Sequence, residues 1–183
     1  PFVLLYGLIQ PVLPAALVYR SQPVWQAIAI FRAAGWYFVI PFLLYGLGVM
    51  IKNVRKDRDW TLVWLLAVLF IWIFVSSARA GGDQWDNPRY RVIFLPWMAL
   101  IVGWVWTHLS QVKAPWFWRL VFLEGVFVVI FTNWYFNRKF GTEIDVSMEY
   151  LFIFYGVLLL IVIGGGLLVD HRKRQKITRN RGE

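Results

Sequence analysis

Residues 79–91 gather three arginines (Arg79, Arg89, Arg91), two carboxylates (Asp83, Asp86), an amide pair (Gln84, Asn87) and two aromatics (Trp85, Tyr90). A guanidinium fork bonds two phosphate oxygens at once and stays charged, so arginines fixed at a lipid–water boundary suit an anionic phosphate. Arg89 and Arg91 stand directly ahead of an apolar run. As a helix, that run would add its unbonded first N–H groups and positive dipole end to the attraction. Asp83 and Asp86, three apart, can act as a base or share a divalent cation, the one cofactor these residues suggest. A plainer reading also fits: loops between membrane helices carry charge because water is there, and Asp–Arg pairs in one loop neutralise each other. Gly81-Gly82 and Asn87-Pro88 mark turns under either reading.

The elements that must hold this loop are apolar. The chain has 183 residues, of which 60% are hydrophobic and 19% aromatic, with a mean hydropathy of +0.58. A soluble domain is about half apolar and breaks its apolar runs every few residues. Here several runs of about 18–20 residues carry few or no charges, each long enough to cross a hydrocarbon core of roughly 30 Å as a helix. The runs lack the alternation a β-barrel needs. The fold class expected is therefore all-α: a polytopic transmembrane bundle with five spans plus a partial or irregular span at the start. With no Cys, disulfides, thiolate metal sites and Cys nucleophiles are excluded. The chain opens at Pro1 without a signal-peptide pattern and reads as the C-terminal part of a larger membrane protein.

The five spans fall at about 33–51, 60–78, 92–109, 120–136 and 150–169, with Pro41 as a kink and Pro96 in a first turn. Residues 1–19 carry Pro11 and Pro14 and read as a partial span; 20–32 read as interfacial. Residues 1–169 form the membrane region and 170–183 a basic tail. Alternating the loops between two sides puts Lys52, Arg55, Lys56, Arg58, Lys113, Arg119 and the tail's six cations on one side, twelve of the 19 Lys and Arg. The other seven are Arg20, Arg32, Arg79, Arg89, Arg91, Arg138 and Lys139. The positive-inside rule makes the richer side cytoplasmic and turns loops 79–91 and 137–149 outward, in a plasma or inner membrane. The net charge of +9 is then mostly an orientation signal. The basic tail leans on anionic head groups at about 1 kcal/mol per cation rather than on nucleic acid.

Other polar residues are weaker candidates. Glu124 is the one acid inside an expected span, about five residues from the cytoplasmic side, and can pair with Arg119 or Lys113. The second outward loop, with Glu143, Asp145 and Glu149 beside Arg138 and Lys139, reads as a solvated connection. Gly164-Gly165-Gly166 permits close helix approach. Trp60, Trp97, Trp116, Trp118 and Trp134 fall near span ends, where indoles favour the interface; Trp64, Trp72 and Trp104 sit deeper, packed or facing lipid. His108 and His171 are too far apart in sequence to suggest a metal cluster.

The stretch DNPRYRVIFLPWMALIVGW resembles the C-terminal half of GT-C type membrane glycosyltransferases, the protein-mannosyltransferase-like and aminoarabinose-transferase-like enzymes. Pro88-Arg89-Tyr90 supply the family's PRY-like triplet and Leu95-Pro96 its helix opening. The resemblance implies an enzyme that moves a sugar from a polyprenyl-phosphate donor to an acceptor outside the cytoplasm. It further implies that Arg89 and Arg91 hold the lipid phosphate, that Tyr90 orients it, and that the catalytic acid lies upstream of Pro1. Asp83 and Asp86 do not match that acid's position. On this reading the chain alone is inactive. The alternative is a non-catalytic accessory subunit of a membrane complex, packed through its Trp-rich faces against partner subunits.

Overall fold

A computed structural model describes residues 10–57, 60–80, 93–141 and 146–179. It is all-helical there, with six helices and no strand among the described residues: α1 (Leu13–Val18), α2 (Pro23–Asp57), α3 (Thr61–Ala80), α4 (Leu95–Gln111), α5 (Pro115–Phe140) and α6 (Met148–Arg179). Three are long and apolar enough to cross a membrane, over Pro23–Lys52, Pro115–Phe140 and Met148–Lys173. Of the other two expected spans, the apolar part of α3, Val63–Ala78, is shorter. The 17 residues of α4 rise only about 26 Å at 1.5 Å each.

Two helices begin earlier than the apolar runs suggest. Proline tolerates a first helical turn because its missing N–H has no partner there. Pro23 therefore opens α2, and residues 23–32, expected as an interfacial stretch, are its first turns. Pro115 likewise opens α5, five residues ahead of the expected start. At its other end α5 stops at Gly141, whose φ of 67° is left-handed and free of the Cβ penalty, with its N–H bonded to the Asn137 carbonyl at 2.9 Å. α2 continues through Pro41, the expected kink. Contacts to α5 hold it on both sides of that residue: Tyr37 on Phe127 at 6.2 Å and Phe42 on Phe117 at 5.0 Å. α6 runs on into the basic tail as far as Arg179, where Lys and Arg are good helix formers and suit the negative end of the dipole.

α2 is the hub, packed on α1, α3, α4 and α5. The core lies between α2, α3, α4 and the start of α5, with Leu43, Leu66, Leu69, Ile101 and Val105 almost fully buried. Gly46 makes the α2–α4 approach possible, since a Cβ there would stand 3.1 Å from a Val105 methyl and 3.7 Å from an Ile101 methyl. α6 is peripheral: it packs mainly on α5, and 6% of its apolar stretch is buried against 33% for α2. The ring pairs fix directions. Phe42–Trp106 and Tyr45–His108 run α2 and α4 parallel, while Tyr37–Phe127 and Phe42–Phe117 run α2 and α5 antiparallel. Hence α3 ends and α4 begins at the end of the bundle where α5 finishes, the Phe140 end.

Candidate functional site

The residues singled out from sequence, Asp83, Asp86, Arg89, Tyr90 and Arg91, lie outside the described residues. What flanks them is fixed. α3 runs to Ala80, and Phe94 caps α4 with its ring 5.2 Å from Trp72 of α3. The end of α3 and the start of α4 therefore stand at the Phe140 end.

That end also holds a cavity of about 430 Å³ between α1 and the last turns of α5. Gln10, Tyr19, Tyr135, Arg138 and Lys139 supply its polar groups, and Val12, Ala15, Ala16, Val18 and Ala29 its apolar wall. From sequence alone Arg138 and Lys139 read only as loop charges. They are instead the last turn of α5, each set against an aromatic ring. Arg138 lies 5.3 Å over Trp134, one turn back, and Trp134 is itself fixed by its indole N–H donating to the Val146 carbonyl at 3.0 Å. Lys139 Nζ lies 5.1 Å over the Tyr19 ring and donates to the Val18 carbonyl at 3.2 Å, which ties α1 to α5. Arg20 lies 4.6 Å over Phe140 beside them. The i, i+4 spacing of Trp134 and Arg138 was visible in the sequence. The contact from residue 18 to residue 139 was not.

The opposite end of α5 uses similar residues differently. Trp116 donates its indole N–H to Asp170 Oδ2 at 2.6 Å, across to α6. Arg119 lies 4.6 Å over Trp116 with Nη1 buried and unbonded. It presses on Gly166, where a Cβ would stand 2.7 Å from Arg119 Nη1. Of the glycine triplet, then, Gly166 serves close approach, while Gly164 and Gly165 have open space around them.

Glu124 differs from expectation. Because α5 starts at Pro115, Glu124 stands nine residues into the helix, about 14 Å along it. Arg119 stacks on Trp116 instead of reaching it, and Glu124 Oε1 is buried with no hydrogen-bond partner. Thr132 Oγ1 shares that condition. Nearby, Tyr155 of α6 donates to the Leu123 carbonyl at 3.1 Å, and Phe127 stacks on Tyr37 and meets Tyr155 edge-on at 5.5 Å. Polar atoms left unpaired in an apolar bundle are costly, which makes this cluster the second candidate region. Among the described residues no three His, Cys, Asp or Glu side chains come together as metal ligands. Comparison with protein-family models, curated proteins and solved structures finds no match.

Proposed function

We propose that the chain is the C-terminal membrane portion of a glycosyltransferase that takes a sugar from a polyprenyl-phosphate donor and passes it to an acceptor outside the cytoplasm. The observation that carries this reading is the cation-rimmed cavity at the Phe140 end, the end at which α3, the helix preceding Pro88-Arg89-Tyr90 in sequence, stops. Arg89 and Arg91 grip the donor phosphate in this account and Tyr90 orients it, while Asp83 and Asp86 line the approach. The phosphate leaving group gains negative charge in the transition state, and cations already fixed around it lower that cost. The catalytic acid comes from sequence upstream of Pro1. α2 to α6 make five crossings, with loops 79–91 and 137–149 outside and the tail of α6 on the cytoplasmic lipid surface.

Arg89→Ala in the full-length protein is expected to abolish sugar transfer at unchanged expression; normal turnover in that variant overturns the donor-phosphate assignment. Orientation is testable separately. The chain has no Cys, so single cysteines at positions 86 and 178 report cleanly to an impermeant thiol reagent. Labelling of the first and protection of the second in intact cells is the expected result.

One observation favours an accessory subunit instead: α6 leaves Phe152, Ile153, Phe154, Leu160 and Ile161 exposed along its length. That reading predicts stable co-purification with larger partner subunits through α6 and no effect of Arg89→Ala on turnover.

A further inference from the structure

We propose that the cavity between α1 and the end of α5 is a seat for the phosphate of a membrane lipid. Its volume, about 430 Å³, falls within the range of roughly 300–1,000 Å³ common to small-molecule sites. Its walls divide by chemistry as a lipid divides. The small apolar side chains of Val12, Ala15, Ala16 and Ala29 leave room for the first carbons of a chain, and Arg138 and Lys139 stand at the polar side.

The two cations have donors to spare. An ammonium offers three hydrogens, of which Lys139 gives one to the Val18 carbonyl. Arg138 offers five, and its guanidinium carbon stands 5.3 Å from the Trp134 ring centroid. Neither meets a carboxylate among the described residues. Trp134 and Tyr19 hold both side chains by cation–π contact, so the ordering cost on binding is already reduced. Positive charge in a last turn also offsets the negative end of the α5 dipole. That accounts for the sign of the residues and leaves the hollow beside them unexplained. A phosphate ester with a chain attached accounts for both.

The ligand chemistry is a lipid phosphate, from either of two sources: a glycerophospholipid or an isoprenoid monophosphate. The seat stands on the cavity alone and does not depend on the glycosyltransferase reading.

The test is lipid retention by the 183-residue chain in native mass spectrometry from mixed nanodiscs. The probes are phosphatidylglycerol, an isoprenyl monophosphate and, as the phosphate-free control, diacylglycerol. Both phosphate lipids are expected to be retained about tenfold or more over diacylglycerol, and Arg138→Gln/Lys139→Gln should remove that preference. Ala16→Phe fills the hollow with the cations intact and should remove it too, whereas Lys139→Arg should keep it. Retention unchanged in the double variant, unchanged in Ala16→Phe, or equal for diacylglycerol overturns the seat. Preference for the isoprenyl monophosphate supports the seat and the donor reading together. Preference for phosphatidylglycerol supports the seat and separates it from the donor.

Discussion

At the Pro115 end of α5, Arg119 lies 4.6 Å over Trp116; at the Phe140 end, Arg138 lies 5.3 Å over Trp134. The pairs are alike and their surroundings are not. Around Trp116 the neighbouring helix supplies partners, with Asp170 taking the indole N–H and Gly166 letting the guanidinium press against backbone, and the hollow of about 470 Å³ there carries that acid in its wall. Around Arg138 and Lys139 there is a hollow walled by alanines and no acid among the described residues. The same contact thus makes a strut where an acid and a glycine complete it, and a binding edge where they are absent. Cation–π stacking fixes where an arginine sits; what else is within reach decides its use.

Breaking the strut should cost stability, while breaking the binding edge should cost ligand. Gly166→Leu is expected to have the largest effect, about 1–3 kcal/mol, because the added side chain must displace Arg119 and Trp116 from α6. SDS titration followed by circular dichroism measures it. Asp170→Ala comes next, about 1.5 kcal/mol in the same titration, through the lost charge-assisted bond to Trp116. Arg138→Gln should cost under about 1 kcal/mol of stability, the scale of one exposed cation–π contact, and yet reduce lipid retention. Gly165→Ala, in open space one residue from Gly166, should cost nothing measurable. A Gly165→Ala loss as large as that of Gly166→Leu would show that the triplet acts as a flexible hinge and not as a contact.

Much of the fold was legible in the sequence. α3 and α4 fall within three residues of their expected bounds, because their apolar runs are bounded by polar or turn residues that the sequence shows directly. The misjudged bounds belong to the long helices. α2 and α5 start at prolines and run through polar, tryptophan-rich turns that hydropathy assigns to loops. That error hid the cavity at the Phe140 end, since ending α5 at residue 136 turned Arg138 and Lys139 into loop charges. It also gave Glu124 a partner, Arg119, that Trp116 holds instead. The cavity was out of reach for a different reason: it lies between α1 and α5, which meet in pairings such as Lys139 to Val18, across most of the chain, that no local spacing encodes. Loop 81–92, where sequence chemistry pointed first, lies outside the described residues, so Arg89 and Arg91 rest on the resemblance and on the helix ends that frame them.

The central claim, that the Phe140 end seats a lipid phosphate while the Pro115 end, with Asp170 in the wall of its hollow, does not, is tested most directly by photocrosslinking with a phosphatidylglycerol or isoprenyl phosphate analogue reactive near its phosphate. The account predicts adducts in the peptides carrying Ala16, Tyr19 and Tyr135, competed away by unlabelled lipid of the same class. Adducts concentrated around Trp116 and His171, or spread evenly along the exposed face of α6, would contradict it.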